Sequence, residues 1–377
     1  MNNLKIRKKH RMFNYIFLSI FGVLFLFNPG KGIAEISNID MASEDEVAKA
    51  RRAIITVETL DQMTGLPGEI GELPDVSAPA GNPQTPEKIA LGKMLFFEKR
   101  LSFDRVSSCA TCHDPAKGFA DGKARAIGFG GKELGRNSPT IVNVAYNDSF
   151  FWDGRSPTME DQAQKPIESN VEMNMSSKEV AKRLNTIPEY KKRFAEVFHQ
   201  PANLGDVGKA IAAFERTLLA SRSKFDQYIH GDKNALTVQE KKGLILFVSK
   251  AACTQCHRGA NFTDNQFHVL GVPQKGPREE DLGRFEVTRV SADKMAFKTP
   301  TLRNIVLTGP YMHDGAFETL EEVVDFYNQG GGTLPGKSPK ILKLHLTSQE
   351  KKDLVAFLKT LTGQVPVVAV PDLPINP

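Results

Sequence analysis

At 377 residues the chain is long enough for two domains with separate cores. Its formal charge of +5 misleads, because residues 1–34 hold six of the 49 Lys and Arg and no acid, leaving 43 basic against 44 acidic groups in the remainder. So even a balance gives no basic footprint, and nucleic acid is excluded as a partner.

The basic residues Lys5, Arg7, Lys8, Lys9 and Arg11 lead into Met12–Phe27, which is almost wholly apolar, and Gly32-Ile33-Ala34 offers a small-residue cleavage site before Glu35. Residues 1–34 therefore read as a signal peptide or an uncleaved N-terminal anchor. The apolar run is short for a membrane span, which favours cleavage. Membrane contact follows only if the segment is retained, and in both cases the body is expected in the periplasm. Residues 35–84 are irregular, gain Gly and Pro toward their end, and are expected to drape over the body.

Thr85-Pro86 predicts a helix start, with Thr as N-cap and Pro in the first turn, and Leu91, Leu95 and Phe96 as its buried stripe. Cys109-Ala-Thr-Cys112-His113 follows, and the chain writes it again as Cys253-Thr-Gln-Cys256-His257. A bare C-x-x-C would suit a redox dithiol or half of a zinc site. A histidine directly after both pairs points instead to two covalent haem c groups, held by Cys109, Cys112, Cys253 and Cys256 with His113 and His257 on the irons. All four cysteines are used, so none remains for a disulfide.

The second half repeats the first. Thr237-Val-Gln-Glu240 is a capping box opening a helix with Leu244, Phe247 and Val248 apolar, and Gly243-x-x-Leu246-Phe247 echoes Gly92-x-x-Leu95-Phe96. Each unit closes on an amphipathic helix: Ile211, Phe214 and Leu218 mark the first, and Thr347-Ser-Gln-Glu350 caps the second, with Leu354, Phe357, Leu358 and Leu361 on one face. Pro139-Thr-Ile-Val-Asn143 matches Pro300-Thr-Leu-Arg-Asn304, and Trp152-Asp153-Gly154 matches His313-Asp314-Gly315, both at an offset of 161 residues. The expected fold is mostly α, two tandem class I cytochrome c-like haem domains. Their boundaries are placed at 85–232 for the N-terminal, peroxidatic one and 233–363 for the C-terminal one, with 364–377 as a tail.

Function turns on the open side of each iron, where Met or His gives an electron carrier and a free position admits peroxide or oxygen. Taken singly, His199, His230, His268, His313 and His345, and Met173, Met175, Met295 and Met312, read as core or surface residues. After Asp-Gly the first module carries Gln162, Pro166 and Glu172, and the repeat offset sets Tyr327 against Pro166. Tyr327 reads either as a phenol aimed at iron or as a tyrosine bonded to a propionate or carbonyl. Glu172 reads as a solvated loop acid or a catalytic one, and Trp152, the only tryptophan, as core packing or a relay.

These motifs, with Phe151-Trp152-Asp153-Gly154-Arg155, Val171-Glu172-Met173-Asn174-Met175 and Tyr311-Met312-His313-Asp314-Gly315, resemble the bacterial di-haem cytochrome c peroxidase and MauG superfamily from about Thr85 to Gly363. The resemblance implies that the haem on His113 meets peroxide, with Glu172 as acid–base and Gln162 and Pro166 shaping the pocket. It also implies that Trp152 lies between the haems, and that Asn137, Thr308 and Pro310 surround an inter-haem calcium. Conventional peroxidases of the family carry an iron-plugging histidine in the loop where this chain has Phe129. They also place Met over the second haem, where Tyr327 here resembles MauG. The surface tryptophan that MauG has ahead of its second motif is missing from Val248-Ser249-Lys250-Ala251-Ala252.

Three functions are weighed. The first is a peroxidase reducing hydrogen peroxide with electrons from a small cytochrome c or cupredoxin. The second is a MauG-like oxidase of a partner protein, and the third a non-catalytic di-haem carrier. A homodimer is common in such enzymes.

Overall fold

The computed structural model describes residues 55–220, 222–278 and 280–375. The expected signal peptide, residues 1–34, lies outside the described residues. No described helix is long and apolar enough to cross a membrane.

Helices carry the architecture, and the sheet among the described residues is one antiparallel pair, β1 (Phe267–His268) against β2 (Phe297–Lys298). The first module rests on a helix pair, Pro86–Phe96 packed on Leu204–Glu215; the second uses Val238–Val248 on Ser348–Thr360. The expected caps are formed. Thr85 accepts from the Lys88 N–H, while Thr237 with Glu240 and Thr347 with Glu350 close full capping boxes. Leu218 lies beyond the end of the Leu204–Glu215 helix yet is buried in the first core.

The repeated Gly-x-x-Leu-Phe phrase now has a physical reason. A Cβ on Gly92 would stand 1.8 Å from the Ala210 carbonyl oxygen, and one on Gly243 would stand 1.9 Å from that of Asp353. Each glycine lets two backbones touch where its helix pair crosses. Gly243→Ala should therefore lower stability by at least about 1–3 kcal/mol, the usual scale for overpacking, read as an earlier midpoint in urea unfolding with both haems still attached.

Two apolar cores result. One gathers Leu91, Leu95, Phe96, Ile211 and Phe214 with their neighbours; the other gathers Phe225, Leu244, Phe247, Leu354 and Phe357. The chain ends cross over between them. The segment expected to be irregular holds a helix, Val57–Gln62, because Thr56 caps it by accepting from the Thr59 N–H; its Leu60 and the following Ile70 enter the second core, and the Tyr146 hydroxyl of the first module donates to the Pro74 carbonyl at 2.7 Å. In return Val365, Val368 and Leu373 of the tail pack against the first core, and Arg100 donates to the Pro374 carbonyl at 2.9 Å.

The repeat is visible in hydrogen bonds as well. The Asn137 N–H donates to the His313 carbonyl at 2.7 Å, and Lys298, 161 residues on, donates to the Trp152 carbonyl at 2.8 Å. These reciprocal bonds stitch the modules along a pseudo-twofold seam.

Candidate active site

Both Cys-x-x-Cys-His motifs open into a cavity of about 640 Å³, which Glu172, Gln162, Pro166, Trp152, Thr308, Pro310 and Tyr327 also line. Burial pushes the thiols up, Cys112 to about 11 and Cys253 to about 12, so these stay protonated at neutral pH rather than poised as redox thiolates. His113 and His257 are held well below the usual imidazole range by burial. Each anchors its Nδ1 on a backbone carbonyl, His113 on Phe119 at 3.2 Å and His257 on Phe262 at 3.0 Å, which leaves Nε2 facing outward as a ligand. Two neutral, oriented imidazoles beside paired thiols on an apolar chamber fit covalent haem c twice. Cys256, Asp264 and His268 also have potential ligand atoms within 4.8 Å of one another. With Cys256 given to haem attachment, Asp264 and His268 form an ion pair at 2.9 Å that draws the Asp264 carboxyl down and His268 up to about 9.

Thr158 and Thr319, again 161 apart, cap equivalent helices beginning at Met159 and Leu320, both buried. In the first module the helix breaks after Gln162 and restarts at Lys165, since Pro166 has no N–H to return to the Gln162 carbonyl. In the second it runs unbroken from Leu320 to Asn328, carrying Tyr327 into the cavity wall. Tyr327 is half-buried on the cavity wall, burial pushes its phenol up, and its hydroxyl makes no hydrogen bond to any described residue.

Glu172 is set by three backbone bonds. Its own N–H donates to the Ser169 carbonyl at 3.1 Å, that of Met173 to Pro166 at 3.2 Å, and the Val171 carbonyl accepts from Phe129 at 2.9 Å. Burial raises its carboxyl above the usual range, opposed by the Arg155 charge and a Ser169 hydrogen bond. Phe129 itself packs edge-on to Phe103 with ring centres 5.9 Å apart; Ile127 and Gly128 of its loop reach the cavity, but Phe129 is not among the lining residues.

Trp152 sits on the seam, its Nε1 donating to the Asn137 carbonyl at 3.0 Å. Asn137 is buried, and its amide meets the carbonyls of Lys123 at 2.8 Å and Pro310 at 3.3 Å; Thr308 lines the same cavity.

Some lining residues carried no sequence signal. Arg136 is clamped by Asp153 at 2.5 Å and Asp281 at 2.6 Å, an ion network joining residues 145 positions apart. Glu215 is buried on the cavity wall without a hydrogen-bond partner, and burial lifts it to about 8. His313, stacked on Phe297 at 3.6 Å between ring centres, is pressed down to about 4 by burial. In sequence Arg136 and Glu215 looked like ordinary helix or loop residues, whereas His313 stood out only through its repeat with Trp152.

Residues 86–234 match the family profile described as di-haem cytochrome c peroxidase, and residues 241–362 match that of cytochrome c. The methylamine utilization protein MauG of Methylorubrum extorquens is 42% identical over 301 residues, 79% of this chain and 85% of that protein. Cytochrome-c peroxidase IdrP1 of Pseudomonas sp. is 40% identical over 329 residues, 79% of this chain and 87% of its own. A crystal structure of a MauG-like protein associated with microbial copper homeostasis superposes with a TM-score of 0.71 at 34% identity, covering 78% of this chain and 94% of that one. Two haem-attachment motifs in tandem, each inside a matched cytochrome-type domain, agree with these likenesses: the chain belongs to the di-haem cytochrome c peroxidase family, oxidoreductases with covalently bound haem c.

Proposed function

We propose that the protein reduces hydrogen peroxide to water at the His113 site, drawing electrons through the His257 site from a small cytochrome c or cupredoxin in the periplasm. The observation that carries this reading is the pairing on one cavity of a half-buried, raised carboxyl, Glu172, with a distal loop whose Phe129 cannot ligate iron. When bound, the haem would supply an iron able to take a peroxide oxygen and electrons for O–O cleavage. Glu172 takes the proton from the inner peroxide oxygen and returns it to the outer one, which leaves as water. Gln162 and Pro166 hold the pocket walls around that carboxylate. Trp152, bonded across the seam, conducts electrons between the modules. Tyr327 Oη would hold the iron of the second haem. Asn137, Thr308 and Pro310 would hold a calcium ion, a hard cation that takes oxygen donors such as the Pro310 carbonyl beside the Asn137 amide.

Phe129 and Tyr327 favour a second reading, a peroxide-dependent oxidase acting on residues of a partner protein. No aromatic residue stands in Val248–Ala252 to serve that exchange as in MauG. Both readings expect unlike irons. The ferric holoprotein, before any reductant, should show one high-spin and one low-spin haem by EPR. Two low-spin haems would mean a ligand opposite His113 and would remove the open site.

A further inference from the structure

Lys298 is a side chain that the reading above leaves without a task. It stands in β2, is 8% exposed, and lines the cavity. Its ammonium has a single weak contact, to the Thr299 carbonyl at 3.4 Å. The acids that share the cavity wall, Asp153, Glu172, Glu215 and Glu286, form no hydrogen bond or ion pair with it. Asp264 and Asp148 act on it only at a distance, and Asp264 is already engaged by His268 at 2.9 Å and the Gln266 N–H at 3.0 Å. Burial alone pulls the amine down to about 8, and an anion beside it restores the charged form. A cation this enclosed is rarely kept unless something pairs with it.

The repeat says where that partner lies. Lys298 is the seam counterpart of Asn137, since each donates its backbone N–H to the residue after which the other module turns, Trp152 or His313. In the first module that seat holds a neutral amide facing carbonyls. In the second it holds a lysine amine, and two residues on, Pro300 reaches the His257 ring. A haem attached at Cys253 and Cys256 brings two propionate carboxylates into this chamber, the anion chemistry an ammonium there recognises.

We propose that Lys298 is the built-in counter-ion of a propionate of the haem carried by Cys253, Cys256 and His257. The inference rests on haem attachment at the second motif and not on the assignment of peroxide to the first, so either can fail alone. A positive charge beside the propionate favours the reduced iron, because the added electron is stabilised. Lys298 acts as a positioning residue through the cofactor.

The test is a redox titration of the holoprotein, with each haem followed by its own spectrum. Lys298→Met keeps the stem and loses the charge. It should lower the reduction equilibrium of the second haem about tenfold, or 59 mV for one electron, with the first haem moved much less. Lys298→Arg should restore it. No shift in Lys298→Met, or a shift confined to the first haem, overturns the proposal. Should Lys298→Met fail to take up haem, infrared spectra with ¹³C-labelled propionates carry the test. The labelled carboxylate stretch of the second haem should move between wild type and Lys298→Arg, and unmoved bands overturn the assignment.

Discussion

Replacing Glu172 with Gln should slow peroxide consumption by a factor of about 10²–10⁴, or about 3–5 kcal/mol of barrier, while both haems remain attached. The amide fills the same space and keeps the backbone bonds that Ser169, Pro166 and Phe129 make around it. What it loses is a carboxylate that can take a proton, so the loss should fall on kcat more than on KM. The pH profile gives a second check. Burial raises the Glu172 pKa, and the working form is ionised, so the wild-type rate should fall as pH drops through that raised value. Arg155 opposes the rise. In Arg155→Ala the falling limb should therefore move to higher pH, and in Glu172→Gln it should vanish. Stopped-flow consumption of peroxide across pH measures all three. Kinetics unchanged by Glu172→Gln would take this residue out of the mechanism.

Tyr327→Phe should change the spectrum of the second haem and leave the first as it was. The helix Leu320–Asn328 is capped by Thr319 and anchored by buried Leu320 and Val324, so loss of one hydroxyl leaves the frame in place. That hydroxyl bonds to no described residue, so its removal leaves no protein partner unsatisfied. An anionic oxygen donor stabilises the more oxidised iron. Without it the second haem should become easier to reduce, by tenfold or more in the equilibrium, which is about 59 mV. Spectroelectrochemistry reads both effects. A methionine–iron charge-transfer band in the wild type would mean that sulfur, not the phenol, caps this iron.

Much of this was legible in order along the chain. Two Cys-x-x-Cys-His pairs are local motifs, and one offset of 161 ties Pro139, Trp152 and Pro166 to Pro300, His313 and Tyr327. The caps at Thr85, Thr237 and Thr347 are local too, because a hydroxyl and an N–H three residues on need nothing distant. The glycine phrase announced itself by repetition, although its reason, a carbonyl less than 2 Å from where a Cβ would sit, belongs to a helix more than 100 residues away.

Tertiary structure decided the environments. Glu172 and Glu215 are both glutamates in a sequence rich in them, and only enclosure by remote residues separates them from solvated acids. Lys298 reads as one more lysine until the strand pairing with Phe267 and the bond to Trp152 bury it. The clamp of Arg136 between Asp153 and Asp281, and the crossing of the chain ends between the two cores, were likewise beyond any local pattern. Motif spacing fixes which residues can touch a cofactor, since attachment is short-range. Desolvation and charge pairing depend on what the whole fold brings alongside, and those set what each group can do.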